Sequence, residues 1–244
     1  MSTSTPSSDL ADVTGIDPAA VAAAPQVHSV YVYEAPVRAW HWINVLAISV
    51  LAVSGWFIGS PLPSMPGEAS DHYVMGYFRF AHFAAGYVLA IGLVGRAYWA
   101  LVGNHHAREL FTLPLTRAAY WREVRAMLAW YAFLRKRPNQ YVGHNPMARL
   151  AMFFGYLGLS LFMILTGFAL YSEGTGVGSW HDRLFGWVIP LIGSSQQVHS
   201  LHHLGLWAMV IFVTLHVYAA IREDIMGRQS MVSTMISGYR TFKD

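Results

Sequence analysis

The chain contains no cysteine among its 244 residues. Disulfide bonds, cysteine-ligated iron–sulfur clusters and the covalent Cys-x-x-Cys-His attachment of haem are therefore excluded. Charged residues are also scarce: they make up 12% of the chain, and 55% of the residues are hydrophobic. A soluble protein carries about twice that share of charge, so the composition is typical of a protein that lies in a lipid bilayer. The net charge of +3 gives no indication of a nucleic-acid partner.

Long apolar runs dominate what the chain does contain. Each is near the ~20 residues that cross the ~30 Å hydrocarbon core as a helix. The four runs are Trp40–Ile58, Phe80–Gly103, Leu150–Tyr171 and Leu201–Ile221. Because the runs are continuous rather than alternating, they predict an all-α, integral membrane four-helix bundle and not a β-barrel.

Lys and Arg predict the orientation of this bundle. The connection between the second and third runs is strongly basic, whereas the other two connections carry only Arg79 and Arg183. The basic connection is expected in the cytoplasm, and an even number of spans then places both termini there. The basic residues of that connection are Arg108, Arg117, Arg122, Arg125, Arg135, Lys136, Arg137 and Arg149.

Two segments outside the spans have their own predictions. Residues 1–27 are rich in Ser, Thr, Ala and Pro and have no apolar core, so we expect a disordered tail before a four-helix membrane domain at 28–244. In the basic connection, apolar residues recur at helical spacing and predict an amphipathic helix on the cytoplasmic membrane surface. Those residues are Trp121, Val124, Leu128 and Tyr131.

Four of the twelve histidines lie inside the spans at matched depths. His202 and His216 are 14 residues apart, which on a helix is within ~40° of one face and ~21 Å of rise. The two cannot share a metal, so each needs a partner from another helix. His41 begins the first span at the depth of His216, and His82 begins the second at the depth of His202. This pairing predicts two bis-histidine b-type haem sites, one in each leaflet.

Other interpretations of these side chains remain open. An intramembrane histidine can simply hydrogen-bond a neighbouring helix. His199 and His203, with His181, could form a zinc-type site at the outer surface. Gly86 and Gly205 could admit a flat macrocycle or close helix packing. The remaining histidines are expected to be solvated surface residues, namely His28, His72, His105, His106, His144 and His181.

Two arginines lie at the levels of the predicted haems. Arg79 precedes His82 by three residues, and Arg96 follows it by 14 on nearly the same face. Each could pair with the propionates of one haem, or extend its side chain to the nearby interface.

Seven segments carry a resemblance to a known family. They are VYVYEAPVRAWHW (30–42), GSPLPSMPGEA (59–69), FRFAHFAAGY (78–87), GHNPMARLAMF (143–153), FGWVIPLIGSSQQVHSLHHLG (185–205), HVYAAIREDIM (216–226) and MVSTMISGYRTFKD (231–244). Together they resemble the b-type cytochrome subunit of membrane-bound NiFe-hydrogenases. The ligand arrangement is also similar to that of the membrane subunit of formate dehydrogenase.

The resemblance implies roles for particular residues. It implies that His41 and His216 hold the cytoplasmic-side haem and that His82 and His202 hold the outer haem. It further implies an inner-membrane subunit that anchors the small and large subunits of a periplasmic hydrogenase and passes their electrons to quinone. A cytochrome b of another quinone-linked dehydrogenase and a haem-free anchor or transporter remain as alternatives.

The outer connections, Ser60–Tyr77 and Glu173–Val198, are the predicted contact surface for that partner. The second has an aromatic, apolar stretch that a water-facing loop does not normally display. It comprises Trp180, Phe185, Trp187, Val188 and Ile189. The alternative is that these side chains lie in the lipid headgroup layer.

Overall fold

A computed structural model describes residues 28–63, 66–68, 72–136 and 138–242. The predicted disordered tail at 1–27 lies outside them. The elements in chain order are β1 (His28–Tyr31), α1 (Ala35–Gly59), α2 (Val74–Val102), a 3₁₀ turn (His105–Arg108), α3 (Ala118–Tyr131), α4 (Pro146–Thr175), α5 (Trp180–Phe185), α6 (Val188–Ile192), α7 (Ser195–Met226), α8 (Met231–Ser237) and β2 (Tyr239–Phe242).

The prediction of four membrane-spanning helices is confirmed. Helices α1, α2, α4 and α7 are 25 to 32 residues long and apolar enough to cross a bilayer. Each begins several residues before the apolar run from which it was predicted, and a side chain caps the start of α4 and of α7. Asn145 caps α4 by accepting a hydrogen bond from the Ala148 amide at 2.7 Å, with Pro146 in the first turn.

Helix α4 contains a feature that hydropathy does not reveal. Residues Ala151–Gly158 form a π-helical segment, a wider turn that is often found near functional sites. Within it, Gly155 faces the Phe212 ring of α7, and a Cβ at this position would lie only 2.7 Å from that ring. The Tyr156 hydroxyl donates to Asn44 Oδ1 of α1 at 3.0 Å. The segment thus brings α4 against both α1 and α7 in the half of the bundle that contains His41 and His216, which we call the inner half.

The two ends of the described chain meet beside the inner end of the bundle. Strands β1 and β2 pair antiparallel, with His28 opposite Phe242 and Tyr31 opposite Tyr239. The amide of Val32 donates to the Gly238 carbonyl at 2.8 Å, next to an apolar cluster that includes Tyr33, Val37 and Ala107. This agrees with the predicted even number of spans. That this side faces the cytoplasm stays a prediction.

The predicted surface helix is present as α3. Trp121 and Leu128 of the predicted apolar stripe are 43% and 52% exposed. A second apolar face, which was not predicted, is buried and comprises Tyr120, Met127 and Trp130. One face packs onto the protein, and the other is available to lipid.

Arg222 joins α3 to the end of the fourth span. Its guanidinium donates to the carbonyls of Trp130 and Tyr131, both at 3.1 Å, at the C-terminus of α3. It also lies over the Trp130 ring, 4.4 Å from the ring centre, and over the Phe133 ring at 4.3 Å. A cation at a helix C-terminus is favourable both for the free carbonyls and for the helix dipole.

We expect Arg222→Met to loosen α3 while leaving the four spans intact. The substitution keeps much of the side-chain volume but removes two charge-assisted hydrogen bonds, each of which contributes about 1.5–3 kcal/mol. Hydrogen–deuterium exchange of residues 118–131 should become at least about tenfold faster. Arg125→Met, at an exposed position of the same helix, is the control and should leave the exchange unchanged. Equal exchange in the two variants would contradict the role of Arg222.

Candidate haem centre

The structure brings the four intramembrane histidines together in two facing pairs. The ring centres of His82 and His202 are 6.3 Å apart, and those of His41 and His216 are 6.4 Å apart. Helix α7 supplies one member of each pair, while α2 supplies His82 and α1 supplies His41. The pairs therefore lie one above the other along α7.

These separations fit one iron between each pair of rings. A histidine nitrogen binds a transition-metal ion at about 2.0 Å, and the ring centre lies about 1.2 Å beyond it, so two axial imidazoles have ring centres about 6.4 Å apart. A direct hydrogen bond between the rings would bring them closer together than this. The four side chains thus have the spacing of axial haem ligands and not that of a hydrogen-bonded pair.

Hydroxyl groups orient both rings of the outer pair. His82 Nδ1 is 3.0 Å from Ser54 Oγ, and His202 Nδ1 is 2.8 Å from Thr166 Oγ1. Each hydroxyl donates its own proton to a backbone carbonyl, Val50 for Ser54 and Phe162 for Thr166, so it accepts from the histidine. The proton therefore lies on Nδ1, and the lone pair of Nε2 is free to bind a metal.

A cavity of about 720 Å³ adjoins the outer pair and lies within the size range of cofactor sites. Gly55, Gly86 and Gly167 line it. A Cβ at Gly55 would lie 3.2 Å from the His82 ring, and one at Gly167 would lie 3.1 Å from the His202 ring. The absence of side chains at these positions keeps space beside the ligand rings. Arg79 also lines the cavity and is exposed.

Of the two interpretations left open for Gly205, the structure favours close helix packing. A Cβ at this position would meet Met163 of α4, and Gly205 does not line the cavity. Its small size lets α7 approach α4 closely, which is the alternative that the sequence left open. Gly86, in contrast, lines the cavity and has no atom within 4 Å of an added Cβ.

The inner pair is surrounded differently. The Phe212 ring stacks on His216, with ring centres 6.0 Å apart and planes inclined by 13°. His41 Nδ1 is buried without a hydrogen-bond partner among the described residues. This nitrogen therefore lacks the hydroxyl acceptor that orients each ring of the outer pair.

Arg96 is a buried cation near the inner pair. It is 4% exposed, and its Nε and Nη1 atoms have no hydrogen-bond partner in the described part of the chain. The guanidinium lies between the rings of Trp40 and Phe111, 5.5 Å from each ring centre. Cation–π contacts offset only part of the cost of burying this charge. The remaining donors fit an anionic group such as a haem propionate.

Several histidines outside the pairs do not behave as predicted. His181 is buried, not solvated: its Nε2 hydrogen-bonds the Tyr87 hydroxyl, and its ring lies 3.7 Å from that of Trp180. His106 and His144 were also expected at the surface, yet both bind the buried carboxylate of Glu109. Sequence alone misses the partners of His181 and His144 because they lie 94 and 35 residues away. His106 and Glu109 are three residues apart and lie on one side of the 3₁₀ turn.

The zinc-type alternative finds no support in the geometry. Among the residues that the structure describes, no three side chains of His, Cys, Asp or Glu converge as a metal site. His199 is exposed and bonds the Ser195 carbonyl at 3.0 Å, while His203 packs against Gly59. His181, the third suggested ligand, faces Tyr87.

Comparison with known proteins agrees with a b-type cytochrome. The chain is 64% identical over 244 residues to a protein from Cupriavidus necator, with 100% of each chain covered. It is 63% identical to a protein from Azotobacter vinelandii, over 88% of this chain and 90% of the relative. Both are named "Probable Ni/Fe-hydrogenase B-type cytochrome subunit".

A more distant relative is the "Probable Ni/Fe-hydrogenase 1 B-type cytochrome subunit" of Escherichia coli strain K12. It is 50% identical to this chain, over 89% of the chain and 93% of the relative. The sequence profile of the family described as prokaryotic cytochrome b561 matches residues 32–238, which include all four paired histidines. The chain therefore belongs to the prokaryotic cytochrome b561 family, within the group that contains these B-type cytochrome subunits.

Proposed function

We propose that this chain anchors a periplasmic NiFe-hydrogenase to the inner membrane and carries its electrons through two b haems to quinone. The observation that carries the proposal is the pair of facing histidine sets at two depths, with ring centres 6.3 and 6.4 Å apart. A bound haem supplies one-electron redox chemistry. Two such sites in one bundle provide a path across the membrane.

The protein's part in this path is to hold and orient the ligands. Helix α7 fixes the distance between the two sites, because His202 and His216 are 14 residues apart and so about 21 Å apart along the helix. Ser54 and Thr166 hold the outer rings by their Nδ1 atoms. The apolar spans exclude water from the two sites. The electrostatic environment of each site therefore depends on the nearby arginine.

Arg79 and Arg96 are proposed to bind the propionates of the outer and inner haems, respectively. Arg79 lies at the outer cavity, where solvent lowers the cost of its charge. Arg96 lies in the apolar interior with two nitrogens free of partners among the described residues. A carboxylate beside it would convert a costly buried charge into a charge-assisted pair.

The hydrogenase assignment rests on the named relatives and on what this chain lacks. Because it has no cysteine, a cysteine-ligated electron source must belong to a partner. The names of the relatives associate them with Ni/Fe-hydrogenases. We therefore propose that the small and large hydrogenase subunits dock at the outer face and that quinone is reduced near the inner, cytoplasmic face.

Some of the side chains that the sequence assigns to the proposed outer docking surface are not exposed. Phe185 turns inward and stacks on Phe168, with ring centres 5.0 Å apart, and Val188 is buried. The large apolar residues exposed in this connection are Val177, Trp180, Leu184, Trp187 and Leu191. All are more than half exposed, which supports a contact surface for a protein partner or for the headgroup layer.

The first prediction from this proposed function is that the native protein binds two low-spin haems and that single substitutions remove them separately. His82→Ala or His202→Ala should lose the outer haem and block electron entry from the partner. His41→Ala or His216→Ala should lose the inner haem, leaving the outer haem reducible by hydrogen but stopping quinone reduction. A pyridine haemochrome assay per polypeptide, together with hydrogen-driven reduction kinetics, measures both effects.

His105→Ala is the control for the first prediction, because His105 is exposed and lies outside both histidine pairs and the outer cavity. It should retain both haems. A native protein without haem, or the same haem loss and kinetics in all four ligand variants, would contradict the proposed pair of sites.

The second prediction concerns the hydroxyl groups of the outer site. Ser54→Ala or Thr166→Val should weaken binding of the outer haem about 10–100-fold, because each ligand ring loses the acceptor that fixes its orientation. Haem release under increasing detergent or temperature measures the effect. Ser49→Ala and Thr214→Val are matched controls, since each hydroxyl makes the same bond to a carbonyl four residues earlier. Equal haem retention in all four variants would overturn this prediction.

The third prediction tests docking at the outer face. Replacing Trp187 and Leu191 together with Ser should release the hydrogenase from membranes while haem content stays unchanged. Leu134→Ser, at an even more exposed apolar residue beyond α3 on the inner side, should have no such effect. Co-sedimentation of hydrogenase activity with membranes provides the measurement. Full retention of the enzyme by the double variant would place the docking surface elsewhere.

A further inference from the structure

A hydrogen-bonded cluster of titratable side chains lies on the inner side, outside the histidine pairs. Its centre is the Glu109 carboxylate, whose side chain is 8% exposed. Oε1 accepts from His106 Nδ1 at 2.8 Å, and Oε2 accepts from His144 Nδ1 at 2.9 Å. The amide of His144 also donates to Oε2 at 2.9 Å. One buried carboxylate thus holds two imidazoles.

The charge of Glu109 determines which nitrogen of His144 can exchange a proton. Burial alone raises the pKa of this carboxyl, but the hydrogen bonds and charge of His144, together with His106, lower it to about 2. Glu109 is therefore an anion and can only accept hydrogen bonds. His144 must keep its proton on Nδ1, so Nε2 is the atom that gains or loses one.

The surroundings of His144 favour a role as a proton carrier. Its ring is partly exposed, and the Tyr33 hydroxyl lies 3.1 Å from Nδ1 and 3.4 Å from Nε2. Burial raises the pKa of Tyr33, so this group remains a hydroxyl. Arg240 is the nearby cation: it acts on Tyr33 and donates to the Gly143 carbonyl at 3.0 Å. The Glu109 carboxylate is the anion on the Nδ1 side of the ring.

The cluster also lies close to the inner histidine pair. Leu110, the residue after Glu109, belongs to an apolar cluster with Leu93, Tyr156 and Leu157. Trp40, which precedes His41, packs against this cluster, and so does Phe212, whose ring stacks on His216. The partly exposed His144 ring and the proposed electron exit therefore lie on the same side of the bundle.

We propose, on the basis of the electron path proposed above, that His144 donates protons to quinone at the inner site and that Glu109 and His106 position it. Reduction of one quinone to quinol consumes two electrons, which arrive through the inner site, and two protons. Each proton leaves Nε2 of the His144 imidazolium for a quinone oxygen. The neutral ring keeps the proton on Nδ1, which remains hydrogen-bonded to Glu109. Nε2 takes a new proton from water before the next transfer.

The test uses the complex of the full chain with its hydrogenase partner. Two rates are measured from pH 6 to 9: reduction of the bound haems by hydrogen, and hydrogen-driven reduction of a short-chain quinone. A positioned general acid typically contributes at least about a hundredfold, and water can replace part of this. His144→Gln should therefore slow quinol formation at least about tenfold without slowing haem reduction. Added imidazole should restore part of the rate.

His105→Gln is the matched control, because His105 is exposed and adjoins His106 in the same turn. It should leave both rates unchanged. Glu109→Gln is the second variant. It keeps the shape of the side chain but removes the charge that stabilises imidazolium, so the pH above which quinol formation falls should shift downward. This shift is a readout that a purely structural role would not produce.

The outcomes separate this inference from the proposed function. If the native complex reduces quinone and His144→Gln does so at the same rate and with the same pH profile, the proton-donor role is wrong and the electron path stands. A parallel fall in haem reduction and quinol formation would also overturn it, since His144 would then only support the fold. If His144→Gln does not assemble, the pH profile of Glu109→Gln decides. An unshifted profile rejects the proposal.

Discussion

The architecture depends on the cost of placing polar imidazole rings inside an apolar bundle. A polar group in hydrocarbon needs a partner, and four histidines in the spans need four. The outer pair meets this need on one side through Ser54 and Thr166, whose own protons go to backbone carbonyls of the preceding helical turn. The other nitrogen of each ring has no hydrogen-bond partner among the described residues, and the facing ring is too far away for a direct hydrogen bond. This arrangement gives Nδ1 a hydrogen-bond partner and leaves Nε2 free. It requires α1, α2, α4 and α7 to meet at one depth.

The outer and inner histidine pairs have different neighbouring groups. The outer level has hydroxyl acceptors, glycines beside the rings and a cavity that reaches Arg79. The inner level has a stacked ring, Phe212 on His216, and a cation, Arg96, that is buried between aromatic rings. A buried cation with free donors raises the free energy of the empty inner site, whereas a solvated cation at the outer cavity does not. An anionic ligand therefore contributes more to the stability of the inner half than of the outer half.

Sequence reasoning was sufficient for the features that follow from periodicity. The four spans follow from hydropathy, and the two histidine pairs follow from the 14-residue spacing on α7 together with depth. It failed where a contact joins elements that are distant in sequence. His181 reaches Tyr87 across 94 residues, and His144 reaches Glu109 across 35. The π-helical segment and the inward turn of Phe185 also depend on packing, which a local pattern does not encode. Ser54 and Thr166 gave a weak signal as hydroxyl residues inside apolar runs, but such residues usually bond only their own helix.

The groups that hydrogen-bond histidines differ between the outer and inner ends of the bundle. Near the outer pair, the groups that hold the ligands are hydroxyls, which neither gain nor lose protons at physiological pH. On the inner side, the Glu109 carboxylate accepts hydrogen bonds from two imidazoles, His106 and His144. Electron transfer between fixed sites needs no proton, whereas the proposed reduction of quinone consumes protons. For this reason we propose that quinone is reduced at the end of the bundle where a partly exposed histidine is held by a carboxylate.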